Sequence, residues 1–92
     1  HYSSHSAKIE CPSAQTAVNA LRNIAAKYKD RNPVVIDGVR IDFGDSWVLV
    51  RQSNTEPVIR VLAEAENQEK AAALAGSFVS EISPLIKASK KQ

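Results

Sequence analysis

A chain of 92 residues fits one small domain with a single core. Hydrophobic residues make up 43% and charged residues 24%, a globular balance that excludes a largely disordered chain. A formal net charge of +2 leaves no electrostatic footprint for nucleic acid or a membrane surface, and no apolar run reaches the length of a membrane span. The single cysteine, Cys11, excludes an internal disulfide and fits a reducing, cytoplasmic location.

Residues 1–8, "HYSSHSAK", are polar and read as a linker, a hinge or an expression remnant rather than a signal peptide. "KIECP" follows as a short strand stopped by Pro12. From Ser13, a plausible N-cap, the period places Val18, Leu21, Ile24, Ala25 and Tyr28 on one helical face. "DRNP" ends that helix. "VVID" and "VRIDF" read as short strands around the turn dipeptide Asp37-Gly38, and Gly44-Asp45 leads into the strand "WVLV". "VIRVLAEA" is the next strand. Asn67 then caps a second helix, with Ala71, Leu74, Phe78, Ile82 and Leu85 on one face. Pro84 should kink or end that helix near its last turn. The expected fold class is α+β, an antiparallel sheet of about four strands with two helices packed on one face. The expected domain covers residues 9–89, with residues 90–92 a frayed tail.

The most informative segment is "VLVRQSNTEPVIRV", where a polar loop joins two apolar strands. Arg51 presents five donors in a planar fork that matches phosphate or carboxylate. Ser53 and Thr55 supply hydroxyls two residues apart, which converge if the loop curls. Asn54 enters left-handed conformations at modest cost, and such a residue would turn backbone N–H groups inward as an anion nest. Arg60, in the next strand, could face back over the loop. Glu56 would repel a phosphate, and is expected to turn away towards the backbone or Arg60. The competing reading is an ordinary hairpin loop, since Ser, Asn and Thr are standard loop residues. His1 and His5 lack a third ligand at metal-site spacing, Cys11 has no sequence-local histidine to activate it, and Trp47 fits packing as well as stacking. No self-sufficient set of catalytic residues is present.

The segment Asp37 to Ala65 resembles the C-terminal domain of the α-D-phosphohexomutases, the phosphoglucomutase and phosphomannomutase superfamily. Asp37-Gly38, Trp47, Arg51 to Pro57, Arg60 and Glu64 carry the resemblance. It implies a TATA-binding-protein-like fold and a domain that grips the substrate phosphate not being transferred. Arg51, Ser53, Asn54 and Thr55 would form the phosphate loop, with Arg60 a further contact, Gln52 a spacer and Glu56 structural. The complete enzymes of this family move a phosphoryl group between C1 and C6 of a hexose through a bisphosphorylated intermediate. Their phosphoserine and magnesium belong to other domains, so no cofactor is expected here and the isolated domain should not catalyse. Asn54, where hexosamine-phosphate mutases usually show Gly, leans towards phosphoglucomutase or phosphomannomutase. The expected partners are a phosphosugar and the other domains of the same enzyme, with neither nucleic acid nor a membrane. The alternative is a free-standing α/β interaction module binding RNA or another anionic partner. It lacks paired aromatics on one strand, a GxxG loop and a basic stripe.

Overall fold

The computed structural model describes residues 2–90, with side chains through Lys87. Strand β1 (Ser3–Glu10) leads into helix α1 (Ala14–Lys27), and a single 3-10 turn (Lys29–Arg31) follows. Strands β2 (Val39–Asp42), β3 (Trp47–Gln52) and β4 (Val58–Ala65) precede helix α2 (Gln68–Lys90). The four strands form one antiparallel sheet in the order β1-β4-β3-β2. The expected α+β architecture is therefore the one observed.

Side-chain alternation divides the sheet into two unlike faces. One face sends Ile9, Val39, Ile41, Val48, Val50, Ile59, Val61 and Ala63 into a common core. Ala17, Ala20 and Ile24 of α1 meet them there, with Ala75, Phe78, Ile82 and Ile86 of α2. Both helical faces are rotated slightly from the expected stripes. Val18, Leu21 and Ala25 are only half-buried while Ala17 and Ala20 are sealed, because small residues let α1 approach the sheet closely. The caps form as expected. Ser13 Oγ accepts from the Thr16 amide at 3.2 Å, and Asn67 Oδ1 accepts from the Lys70 amide at 2.8 Å.

Two expectations are corrected and a third, at Pro84, is narrowed. The polar leader is not a linker from residue 3 onward: Ser3 to Glu10 pair in unbroken register with Ala65 to Val58. An edge strand with one face in solvent draws its stability from backbone bonds and needs few apolar side chains. "VVID" is not a strand. Only Val34 bridges to Arg40, through amide–carbonyl bonds of 3.0 and 2.9 Å, while Val35 and Ile36 stand exposed. Left-handed Asn32 and donorless Pro33 end the pairing on one side, and the positive φ of Asp37 and Gly38 turns the chain on the other. Pro84 does not end α2, which continues to Lys90. Buried Ile82 and Ile86 on either side of it anchor the helix to the sheet and offset the lost backbone bond. The tail expected to fray includes Lys90, which is helical; residues 91–92 lie outside the described residues.

One end of the core is closed by rings. Tyr28, the C-cap of α1, stacks on Phe78 at 5.3 Å and meets Phe43 edge-on at 6.0 Å. Its hydroxyl donates to the Glu81 carboxylate of α2, which Lys27 also engages, so a polar clasp ties the two helices together. Burial, then the Glu81 bond and charge, push the Tyr28 phenol up from 10.0 to about 12. A phenol raised in the fold adds stability that is complete below pH 10 and disappears as pH rises towards 12. Tyr28→Phe should therefore lose about 1 kcal/mol at pH 7 and show a shallower decline between pH 10 and 12. Urea melts of the two proteins at pH 8 and pH 11 measure both effects, and parallel pH profiles would refute the coupling. At the other end, Gly38 has φ +142°, and a Cβ there would lie 2.7 Å from the Val50 carbonyl and 2.9 Å from Arg51 Cβ. Gly38→Ala should cost about 2–3 kcal/mol in the same melts. An unchanged midpoint would show that the turn can move away from β3.

Candidate anion-binding site

The open face of the sheet is ordered into cross-strand rows by the register. Asp42, Trp47, Glu64 and Ser4 form one row, and Arg40, Leu49, Leu62 and Ser6 the next. Arg51, Arg60 and Lys8 form the third, directly opposite one another on β3, β4 and β1. Trp47 donates from Nε1 to Glu64 at 3.3 Å, and the Arg40 guanidinium lies 4.1 Å from its ring centroid. Trp47 is thus engaged within the face.

Beyond the third row the chain turns through residues 53–57. The loop closes on Ser53: its Oγ accepts from the Thr55 and Glu56 amides at 3.3 and 3.4 Å and lies 3.4 Å from Thr55 Oγ1. The Ser53 amide donates to the Val58 carbonyl at 3.0 Å, and the Val58 amide to the Glu56 carbonyl at 2.8 Å. The two hydroxyls do converge, as their spacing suggested. The Ser53 oxygen accepts two amides, and in the contact between the two hydroxyls either oxygen can donate, which leaves one hydroxyl proton for an acceptor outside the pair. Both amide contacts are long, so a stronger acceptor could draw those N–H groups away.

Two parts of the expected loop differ. Asn54 does not enter the left-handed region, which among the described non-glycine residues is taken by Asn32 and Asp37. Ser53 makes the turn with its side chain instead, and a left-handed residue is not required. Glu56 is exposed, and its carboxylate pairs neither with Arg60 nor with any other described cation.

The expected residues fall on two neighbouring concavities. Ser53, Asn54 and Thr55 line a cleft of about 650 Å³ that runs between the loop, the Asp37-Gly38 turn and the start of α1. Arg51 and Arg60 instead line a groove of about 520 Å³ on the open face. Charge separates the two. The cleft is walled by two carboxylates, Asp37 and Glu56, and by no Lys or Arg. The partial positive charge of the α1 N-terminus offsets about half of one of them. The groove is walled by three cations and no carboxylate. Charge favours an anion at the groove, while the loop hydroxyls line the neighbouring cleft.

Sequence reasoning missed the other walls, because Ser13 and Asp37 reach the cleft only through the fold. It also missed Lys8. The alternation in "SHSAKIE" was its one local signal, masked by the polar composition.

Cys11 is buried, its Sγ 3.7 Å from the Ile9 carbonyl, and burial raises its thiol above the usual value. Burial and a raised thiol both disfavour the reactive thiolate and suit a packing role. His1 lies outside the described residues. His5 is exposed, its Nδ1 lying 3.4 Å from Gln68 Nε2. Among the described residues no group of three or more His, Cys, Asp or Glu could hold a metal ion. No helix of the described residues is long and apolar enough to cross a membrane.

Comparison with known proteins agrees with this fold and motif. The family model "Phosphoglucomutase/phosphomannomutase, C-terminal domain" matches residues 7–81. A probable phosphoglucosamine mutase of Methanopyrus kandleri is 38% identical over 73 residues, covering 77% of this chain and 16% of the relative. The corresponding protein of Thermococcus kodakarensis is 42% identical over 73 residues, 76% of this chain and 16% of its own length. A phosphoglucomutase/phosphomannomutase of the same organism is 60% identical over 35 residues, 38% of this chain and 8% of the relative. The chain spans about one sixth of the length of the curated relatives that match most of it. With the family model covering most of the chain and the four-stranded sheet and two helices in place, this chain belongs to the phosphoglucomutase/phosphomannomutase C-terminal domain family.

Proposed function

We propose that this domain grips the phosphate of a hexose phosphate that is not being transferred, acting within a longer phosphohexomutase and without catalytic activity alone. Arg51 and Arg60 supply charge, while Ser53, Asn54 and Thr55 supply neutral donors from the loop. The observation that carries this reading is the pairing of Arg51 with Arg60 across β3 and β4, with no carboxylate among the described residues bound to either. Like charges directly opposite in a sheet repel, so an anion between them converts a cost into an attraction. A phosphate recognised through its own oxygens is held without reference to the sugar carbon that bears it. The same seat can then accept a hexose 1-phosphate or a hexose 6-phosphate, as an exchange through a bisphosphorylated intermediate requires.

The domain's contacts are with the phosphate and not with the sugar. Relatives named as phosphoglucosamine mutases match over about three quarters of the chain, and a phosphoglucomutase/phosphomannomutase over 38% of it. The lean drawn from Asn54 is therefore not carried further. Gripping a remote phosphate uses binding energy away from the reacting centre to position it. Phosphate fits this surface better than RNA, because Trp47 is the one aromatic residue on the open-face rows and Arg40 covers its ring.

Titration with glucose 1-phosphate, followed through backbone amides by NMR, should shift resonances between Arg51 and Arg60. Glucose should leave them in place. For this domain alone, a Kd on the order of 1 mM or weaker is expected. Equal responses to both sugars, or none from a folded domain, would remove the phosphate role. In the full-length protein, Arg51→Ala should lower kcat/KM by about tenfold to a hundredfold, the loss expected for a charge-assisted contact. Wild-type kinetics for that variant would count decisively against it.

A further inference from the structure

Resting on the phosphate reading above, we infer that Lys8 of β1 is a third phosphate ligand, which moves the seat of the anion onto the open face of the sheet. Lys8 lies opposite Arg60, and Arg60 opposite Arg51, so the three cations stand in one row across three adjacent strands. Neighbouring strands are about 4.8 Å apart, which brings three long side chains within reach of one tetrahedral dianion. All three line the same groove, together with Ser6, Leu49 and Leu62.

Among the described residues no carboxylate forms an ion pair with the row. The ion pairs among the described residues are Lys27–Glu81 and Lys70–Glu66, and neither touches it. Glu10 projects from the same face of β1 two residues further on, yet pairs with none of the three. Elsewhere on this face cations and carboxylates are used economically: Arg40 covers Trp47, and Glu64 accepts from it. Three opposed cations without an ion pair among the described residues are placed to take an external anion.

The groove also has a graded floor. Leu49 and Leu62 form an apolar strip beside the cations, and Ser6 continues that row on β1. The strip limits water on one flank of the anion and so strengthens each charged contact. Lys8 is a compact point charge on a flexible stem, suited to closing the side of a phosphate that two planar guanidiniums leave open. It sits on an edge strand, with no further strand beyond it to crowd the side chain.

The test is an NMR and affinity titration of the whole chain with inorganic phosphate, comparing wild type, Lys8→Gln, Lys8→Arg and the charge control Lys29→Gln. Lys8→Gln should weaken binding about fivefold and flatten its dependence on sodium chloride, as expected for loss of one partly exposed charge contact. Lys8→Arg should stay within about twofold of wild type, and so should Lys29→Gln on the 3-10 turn. Removing one of three opposed cations should hold or raise the Tm of the free chain. A lower Tm accompanying weaker binding would assign Lys8 to the fold and overturn the inference. Unaltered affinity in Lys8→Gln, with shifts at Ser53 to Thr55 intact, would overturn the Lys8 assignment and leave the loop reading standing. Shifts around Lys8 and Arg60 with a silent loop would uphold the cationic seat and remove the loop from it. Absence of any phosphate response would overturn both.

Discussion

The register of β1, β4 and β3 is the constraint on which the rest of this structure depends. Alternation along each strand commits one set of residues to the core and the other to solvent, and a slip of one residue would exchange them. Ile59, Val61 and Ala63 therefore bring Arg60 and Leu62 with them to the open face. Burying the first set against α1 and α2 pins the second set as firmly as a dedicated scaffold would. The cationic row inherits its geometry from the apolar core beneath it.

That arrangement sets stability against binding. A row of Lys8, Arg60 and Arg51 would be an unfavourable choice for a sheet whose only task was to fold. The core can carry it because the opposite face is continuous, from Ile9 on one edge strand to Val39 and Ile41 on the other. Gly38 makes a related contribution beside the row. Its missing side chain lets the turn pack against the backbone of Val50 and Arg51, holding the end of β3 from which Arg51 projects. A rigid end of β3 and a loop closed on the Ser53 hydroxyl leave donors in place before any ligand arrives, which reduces the ordering cost of binding.

The two ends of the core are differentiated as well. Around Tyr28, Phe43 and Phe78 the helices and the β2–β3 turn are locked by rings and by the Glu81 clasp. The loop end is built instead from a serine cap, a serine-closed turn and a glycine.

By itself the sequence determined the class of fold, the helix caps at Ser13 and Asn67, and the identity of the polar loop. These are local matters, written in periodicity, capping chemistry and a short motif. The eight-residue length of β1, the exposure of Val35 and Ile36, and the passage of α2 through Pro84 were decided by tertiary structure. Each turns on a partner distant in the chain: β4 supplies the bonds that make a polar leader a strand, and the sheet holds a helix that proline would otherwise interrupt. The same is true of the site. Arg51 and Arg60 could be named from the motif, but Lys8 sits 52 residues before Arg60 in the chain and joins the row only because β1 pairs with β4 in one register. Cross-strand neighbours are set by hydrogen-bonded backbone and a shared core, and no local pattern in the sequence records them.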